Sequence, residues 1–136
     1  MKRAYEKPSL SGRWEVDLER STQRGPETTR ITIDLEHREE SLIQDVRATK
    51  ANGEKERVIF RYRIGGETEN QIGGSSAVSR ANWEGPELVI ETKMARAGSE
   101  FRFQDHWSLS EDGKTLTMTH RDGALAGQTT VLKRIS

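Results

Sequence analysis

Cysteine is absent from this 136-residue chain, so it has no disulfide framework and no thiolate site. Charge of one sign is also missing. The 22 basic and 22 acidic residues cancel, and no basic stripe stands ready to neutralise a run of phosphates, which excludes nucleic acid as a partner. No segment approaches the roughly 18 consecutive apolar residues of a membrane span. Residues 1–9 lack the apolar middle of a signal peptide; a leader removed upstream would fit a periplasmic or secreted protein, so the compartment stays open. Motifs are as scarce as cysteines. There is no Gly-x-Ser-x-Gly elbow and no His-Glu-x-x-His, and Gly73-Gly74-Ser75-Ser76 lacks the Lys and following helix of a phosphate loop. Three scattered His without Cys offer no metal spacing, and His120 is the one candidate for a haem axial ligand. No metal and no cofactor are expected.

What the chain does have is alternation. Between Ala77 and Leu109, Leu88, Ile90, Thr92 and Met94 share one face of a strand, as do Phe101, Phe103, Asp105, Trp107 and Leu109. Apolar residues repeating every second position exclude a helix there. The same pattern predicts strands over Gly12–Leu18, Thr28–Glu36, Ser41–Thr49, Lys55–Ile64 and Glu67–Ile72. Others follow over Ala77–Trp83, Leu88–Ala97, Glu100–Leu109, Lys114–Arg121 and Gln128–Arg134. Trp14, Val16 and Leu18 point inward on the first strand, and Ile31, Ile33 and Leu35 on the second. The third has an ambiguous phase because Leu42 and Ile43 are adjacent. On the fourth, Val58, Phe60, Tyr62 and Ile64 face in, with Arg57, Arg61 and Arg63 on a solvated outer face. Asn52-Gly53 suits a tight type I′ turn.

About ten short strands, short connections and no helical pattern give an all-β class. Hairpin-joined strands lie beside their sequence neighbours, so the path is an up-and-down antiparallel β-barrel, closed to remove its edges. Residues 1–9 form a polar arm and residues 10–136 a single barrel domain, a monomer or homodimer.

Gly12-Arg13-Trp14 resembles the Gly-x-Trp that opens lipocalins and fatty-acid-binding proteins. Ser79 to Lys93, with Trp83-Glu84-Gly85 and Leu88-Val89-Ile90, resembles the sixth and seventh strands of intracellular fatty-acid-binding proteins, and Asp112-Gly113-Lys114 with Leu116 to His120 their ninth. The resemblance is to the calycin superfamily, in the form of a bacterial lipocalin-like offshoot. It implies a ten-stranded barrel around a cavity for a small hydrophobic ligand. Two departures qualify it. Glu19 to Glu27 is too short for the carriers' helical lid, and where they place inward Arg residues this chain has Phe103, Thr130 and Leu132. A fatty acid's carboxylate therefore finds no buried Arg, and a neutral or weakly polar, lipid-like ligand is expected instead.

Candidate ligand contacts are Ser79, Trp83, Ile90, Thr92, Met94, Phe101, Phe103, Trp107, Met118 and Thr130, with Ser79, Thr92 and Thr130 able to hydrogen-bond a polar tip. Trp14 closes one end by packing. His120 shares a face with Leu116 and Met118, and Asp105 with Phe103 and Trp107. The pair could act as acid and base in an isomerisation or hydration, or be structural, or never meet. His37 and His106 are expected at the solvent. Binding, catalysis and a filled structural barrel all remain open at this point, with binding preferred.

Overall fold

The computed structural model describes residues 9–21, 28–72, 74–96, 98–121 and 127–136. Ten strands follow one another: β1 (Gly12–Val16), β2 (Thr28–Arg38), β3 (Ser41–Lys50), β4 (Lys55–Arg63), β5 (Glu67–Ile72), β6 (Ser75–Glu84), β7 (Glu87–Arg96), β8 (Ser99–Leu109), β9 (Thr115–Arg121) and β10 (Thr129–Arg134). They take up more than half of the chain, and no helix occurs among the described residues. The expected polar arm, apart from Ser9, and most of the connection ahead of β2 lie outside the described residues, as does the Asp122-Gly123 turn.

Every ladder is antiparallel, and β1 pairs with β10, so the sheet runs β4-β3-β2-β1-β10-β9-β8-β7-β6-β5. It curls into a barrel that stops one ladder short of full closure, between β4 and β5. The chain leaves the ladder pattern at the turn joining them. Ile64 N–H donates to the Glu40 carbonyl (2.7 Å) and Gly65 N–H to the Ala81 carbonyl (2.7 Å), so the turn is tied to its neighbours on either side. Among the described residues, the Asn70 side chain bridges the seam itself. Arg61 N–H donates to Asn70 Oδ1 (2.9 Å), and Asn70 Nδ2 donates to the Arg61 carbonyl (2.9 Å). The amide thus reproduces the paired exchange of a ladder rung where no rung exists.

The inward residues divide into two levels. At the closed end Leu10, Trp14, Leu42, Leu88, Leu116 and Leu132 are fully buried, each leucine contributing about 1.5–3 kcal/mol through removal of its side chain from water. Leu42 therefore settles the phase of β3, with Gln44 buried beside it. Trp14 Nε1 donates to the Leu10 carbonyl (3.1 Å), and the Arg134 guanidinium lies 4.3 Å above the indole. Arg134 is held there by bonds to the carbonyls of Ser11 (2.6 Å) and Gly113 (2.9 Å). A side chain at Gly12 would collide with this arrangement: its φ is +145°, and a Cβ would lie 2.5 Å from Arg134 Nη1 and 2.8 Å from the Ser136 carbonyl. The Gly-x-Trp opening thus has a local cause, in that glycine admits the arginine that covers the tryptophan.

Three expectations are corrected. His37 does not face solvent; it is half-buried at the closed end, where its Nδ1 accepts from Leu10 N–H (3.1 Å) and its ring lies 6.0 Å from that of Trp83. Burial lowers its proton affinity. His106 is on the outer face but covered, with its ring nitrogens 3.2 Å from Glu87 Oε1 and 3.2 Å from Gln104 Oε1. The Asn52-Gly53 turn is not type I′, since Gly53 (φ 89°) alone turns left-handed there. Gly53 N–H bonds the Lys50 carbonyl and Lys50 N–H bonds the Glu54 carbonyl, which gives a longer connection closed by a left-handed glycine.

Candidate functional site: the cavity in the open half of the barrel

Above the packed end the barrel is hollow. A cavity of about 550 Å³ is bounded by Val16, Ile31, Ile33 and Val46 on one side, by Phe60 and Tyr62 of β4, and by Phe103, Trp107 and Met118 opposite. Its polar lining comes from Gln44, Asn70, Ser79, Thr92, Asp105, His120, Gln128 and Thr130. Strand register explains the placement. Ser79, Thr92 and Phe103 form one row across β6, β7 and β8, and Trp107, Met118 and Thr130 form another across β8, β9 and β10.

Asp105 and His120 stand opposite each other on β8 and β9, and Asp105 Oδ1 contacts His120 Nδ1. Both side chains are largely covered, 21% and 13% exposed. Burial pushes the Asp105 carboxyl up to about 6, and the nearby imidazoles of His120 and His106 only partly offset this. Across the cavity, Tyr62 is held neutral well above the ordinary phenol range by its own burial and then by the Asp105 charge. The Phe103 ring meets His120 edge-on at 5.7 Å, and Tyr62 meets Trp107 edge-on at 6.4 Å. Ser79 Oγ and Thr92 Oγ1 share a hydrogen bond of 2.8 Å. Two hydroxyls carry two donors, so one donor of this pair remains for another acceptor.

Of the residues singled out in the sequence, Ser79, Thr92, Phe103, Trp107, Met118 and Thr130 line the cavity together with Asp105 and His120. Four lie off it. Ile90 belongs to the packed core, Trp83 packs against that core beside His37, Met94 is part-exposed, and Phe101 is 51% exposed. Gln44, Asn70 and Gln128 were not singled out. Gln44 was hidden by the ambiguous phase of β3, and Asn70 by a strand too polar to show which face turned inward. No group of three His, Cys, Asp or Glu among the described residues is placed to hold a metal ion, and no helix there is long and apolar enough to cross a membrane.

No family model and no curated protein matches the sequence. Solved structures do match the fold. The fluorescent protein UnaG aligns with a TM-score of 0.61 at 14% identity, over 92% of this chain and 96% of that one. Secretory abundant heat soluble protein 4 from Ramazzottius varieornatus aligns with a TM-score of 0.65 at 14% identity, over 99% of this chain and all of that one. Another such protein from the same organism, crystallised from a dimer sample, gives 0.59 at 13% identity. Ten up-and-down strands, a β1–β10 pairing and a likeness running almost end to end make the fold of this chain that of a calycin-like barrel.

Proposed function

We propose that the barrel binds one small, largely apolar molecule in the cavity of its open half. The observation that carries this is the cavity itself, about 550 Å³, within the roughly 300–1,000 Å³ of small-molecule sites and walled by nine apolar or aromatic and eight polar side chains. Phe103, Trp107 and Met118 take the apolar body, while Ser79, Thr92 and Thr130 take a polar tip. No Lys or Arg stands among the described lining residues, so a free carboxylate has no counter-charge there. The test is a native mass spectrum of the purified protein, followed by titration with an apolar fluorescent dye. A co-purified small molecule, or saturable dye uptake that quenches tryptophan emission, supports binding. No uptake by a folded, ligand-stripped protein overturns it.

A second reading rests on the contact between Asp105 and His120 at the cavity wall. A carboxyl whose proton affinity is raised by burial, set against an imidazole, is an acid and base pair able to move a proton on a bound substrate. Under this reading Asp105→Asn and His120→Gln abolish turnover while dye binding survives. Retention of turnover in both variants refutes it.

A further inference from the structure

The chemistry of the occupant can be narrowed from the charges and acceptors inside the barrel. Among the described lining residues the ionisable groups are Asp105, His120 and Tyr62, and Tyr62 stays neutral. The arginines of this region, Arg57, Arg61, Arg63, Arg80 and Arg102, all lie exposed on the outer face. The described lining of the cavity therefore holds one carboxylate and no permanent cation. Its partner His120 counters that charge only when protonated.

The acceptors tell the same story. Gln128 Oε1 is buried with no hydrogen-bond partner among the described residues, and Gln128 neighbours His120 through the bond from His120 N–H to the Gln128 carbonyl (2.8 Å). Asp105, His120 and Gln128 thus stand side by side across β8, β9 and the approach to β10. Two of the described groups near the cavity are already engaged: the Asn70 amide is committed to Arg61 across the seam, and one of the two donors of the Ser79 and Thr92 hydroxyls lies within that pair. A buried acceptor without a donor is costly, and an alkylammonium brings two or three donors with its charge. Phe60, Tyr62, Phe103 and Trp107 line the same cavity, and aromatic rings attract a cation.

We propose that the occupant is an amphipathic amine, its protonated nitrogen seated at Asp105 and Gln128 and its hydrocarbon body among Phe60, Phe103 and Trp107. This rests on the binding reading and sharpens it from a weakly polar ligand to a cationic one. His120 contacts the same carboxylate, and a proton taken up by Asp105 removes the charge that seats the amine. The groups facing Asp105 are His120 from β9, His106 beside it on β8 and Tyr62 from β4; none of them is an anion that could take its place.

The test uses three molecules that share one chain and differ only in the head: decylamine, decanol and decanoate, titrated calorimetrically into ligand-stripped protein. Decylamine should bind at least about tenfold more tightly than decanol, the scale of hydrogen bonds to a charged group, and decanoate should bind weakest. Asp105→Asn should erase the advantage of the amine over the alcohol, while decanol affinity stays within about threefold, since little apolar surface changes. His120→Gln, which removes the imidazole but not the carboxylate, should keep that advantage. Decylamine affinity should also fall between about pH 8 and about pH 5 as Asp105 gains its proton. Decanoate binding as tightly as decylamine, or an amine preference surviving in Asp105→Asn, overturns the amine inference and leaves the binding reading standing. Uptake of none of the three overturns both.

Discussion

Replacing Asn70 with alanine removes both hydrogen bonds that cross the β4–β5 seam. Asn70 is 9% exposed, and its amide holds Arg61 N–H and the Arg61 carbonyl at 2.9 Å each. A neutral intramolecular hydrogen bond nets about 0.5–1.5 kcal/mol, so the pair amounts to about 1–3 kcal/mol. Water reaches part of this seam in the variant, which places the expected loss for Asn70→Ala at about 1–2 kcal/mol. Asn70→Asp is a sharper probe: its carboxylate still accepts from Arg61 N–H but meets the Arg61 carbonyl with a second oxygen. At neutral pH it should lose at least as much as Asn70→Ala, and it should recover part of the loss on acidification, when the protonated carboxyl regains a donor. Urea denaturation measures the stability, and hydrogen exchange at the Arg61 amide locates the effect. An Asn70→Ala midpoint equal to wild type, with Arg61 exchange unchanged, would refute the view that this side chain serves as the missing rung.

Trp14→Ala should cost about 3–5 kcal/mol, because a fully buried indole is lost from the closed end; a denaturation midpoint near wild type would show that the end repacks without it. Thr92→Phe should fill the cavity and abolish dye binding at a cost below the roughly 1–3 kcal/mol of overpacking a dense core; strong destabilisation with dye binding retained would place the empty volume elsewhere. The Asp105 carboxyl holds its proton more tightly folded than unfolded, so it favours the folded state below about pH 6, and that advantage is lost as pH rises through this value. Stability of the wild type should therefore decline from about pH 4 to about pH 6 relative to Asp105→Asn and level off above that. Parallel pH profiles for the two proteins would exclude Asp105 as the cause.

Strand identity, and the phase of strands other than β3 and β5, were legible in the sequence because side chains in a strand alternate between faces whatever the surroundings. The alternation of Leu88, Ile90 and Thr92 is enough to turn all three inward, and Trp14 with Val16 and Leu18 to set the phase of β1. The polar faces needed no more, since Arg57, Arg61 and Arg63 alternate against them. Period two, however, says which face a residue takes and nothing of its height along the barrel. Height follows from strand tilt and from pairings between distant strands. That is why Ile90 lies in the packed end, Thr92 two residues on lines the cavity, and Phe101, in phase with Phe103, stands exposed at 51%.

Tertiary structure also decided what no local pattern encodes. The β1–β10 pairing joins the two ends of the chain, and the unpaired β4–β5 seam depends on where the turn residues Ile64 and Gly65 are tied. Asn70 reads as one polar residue in a polar strand until Arg61 is seen across the seam. Asp105 and His120 lie fifteen positions apart in the sequence, and only the β8–β9 register, with the cavity behind it, sets carboxylate against imidazole. Composition excluded a thiol site from the outset. The hollow behind Asp105 exists because ten tilted strands leave more space than their inward side chains fill.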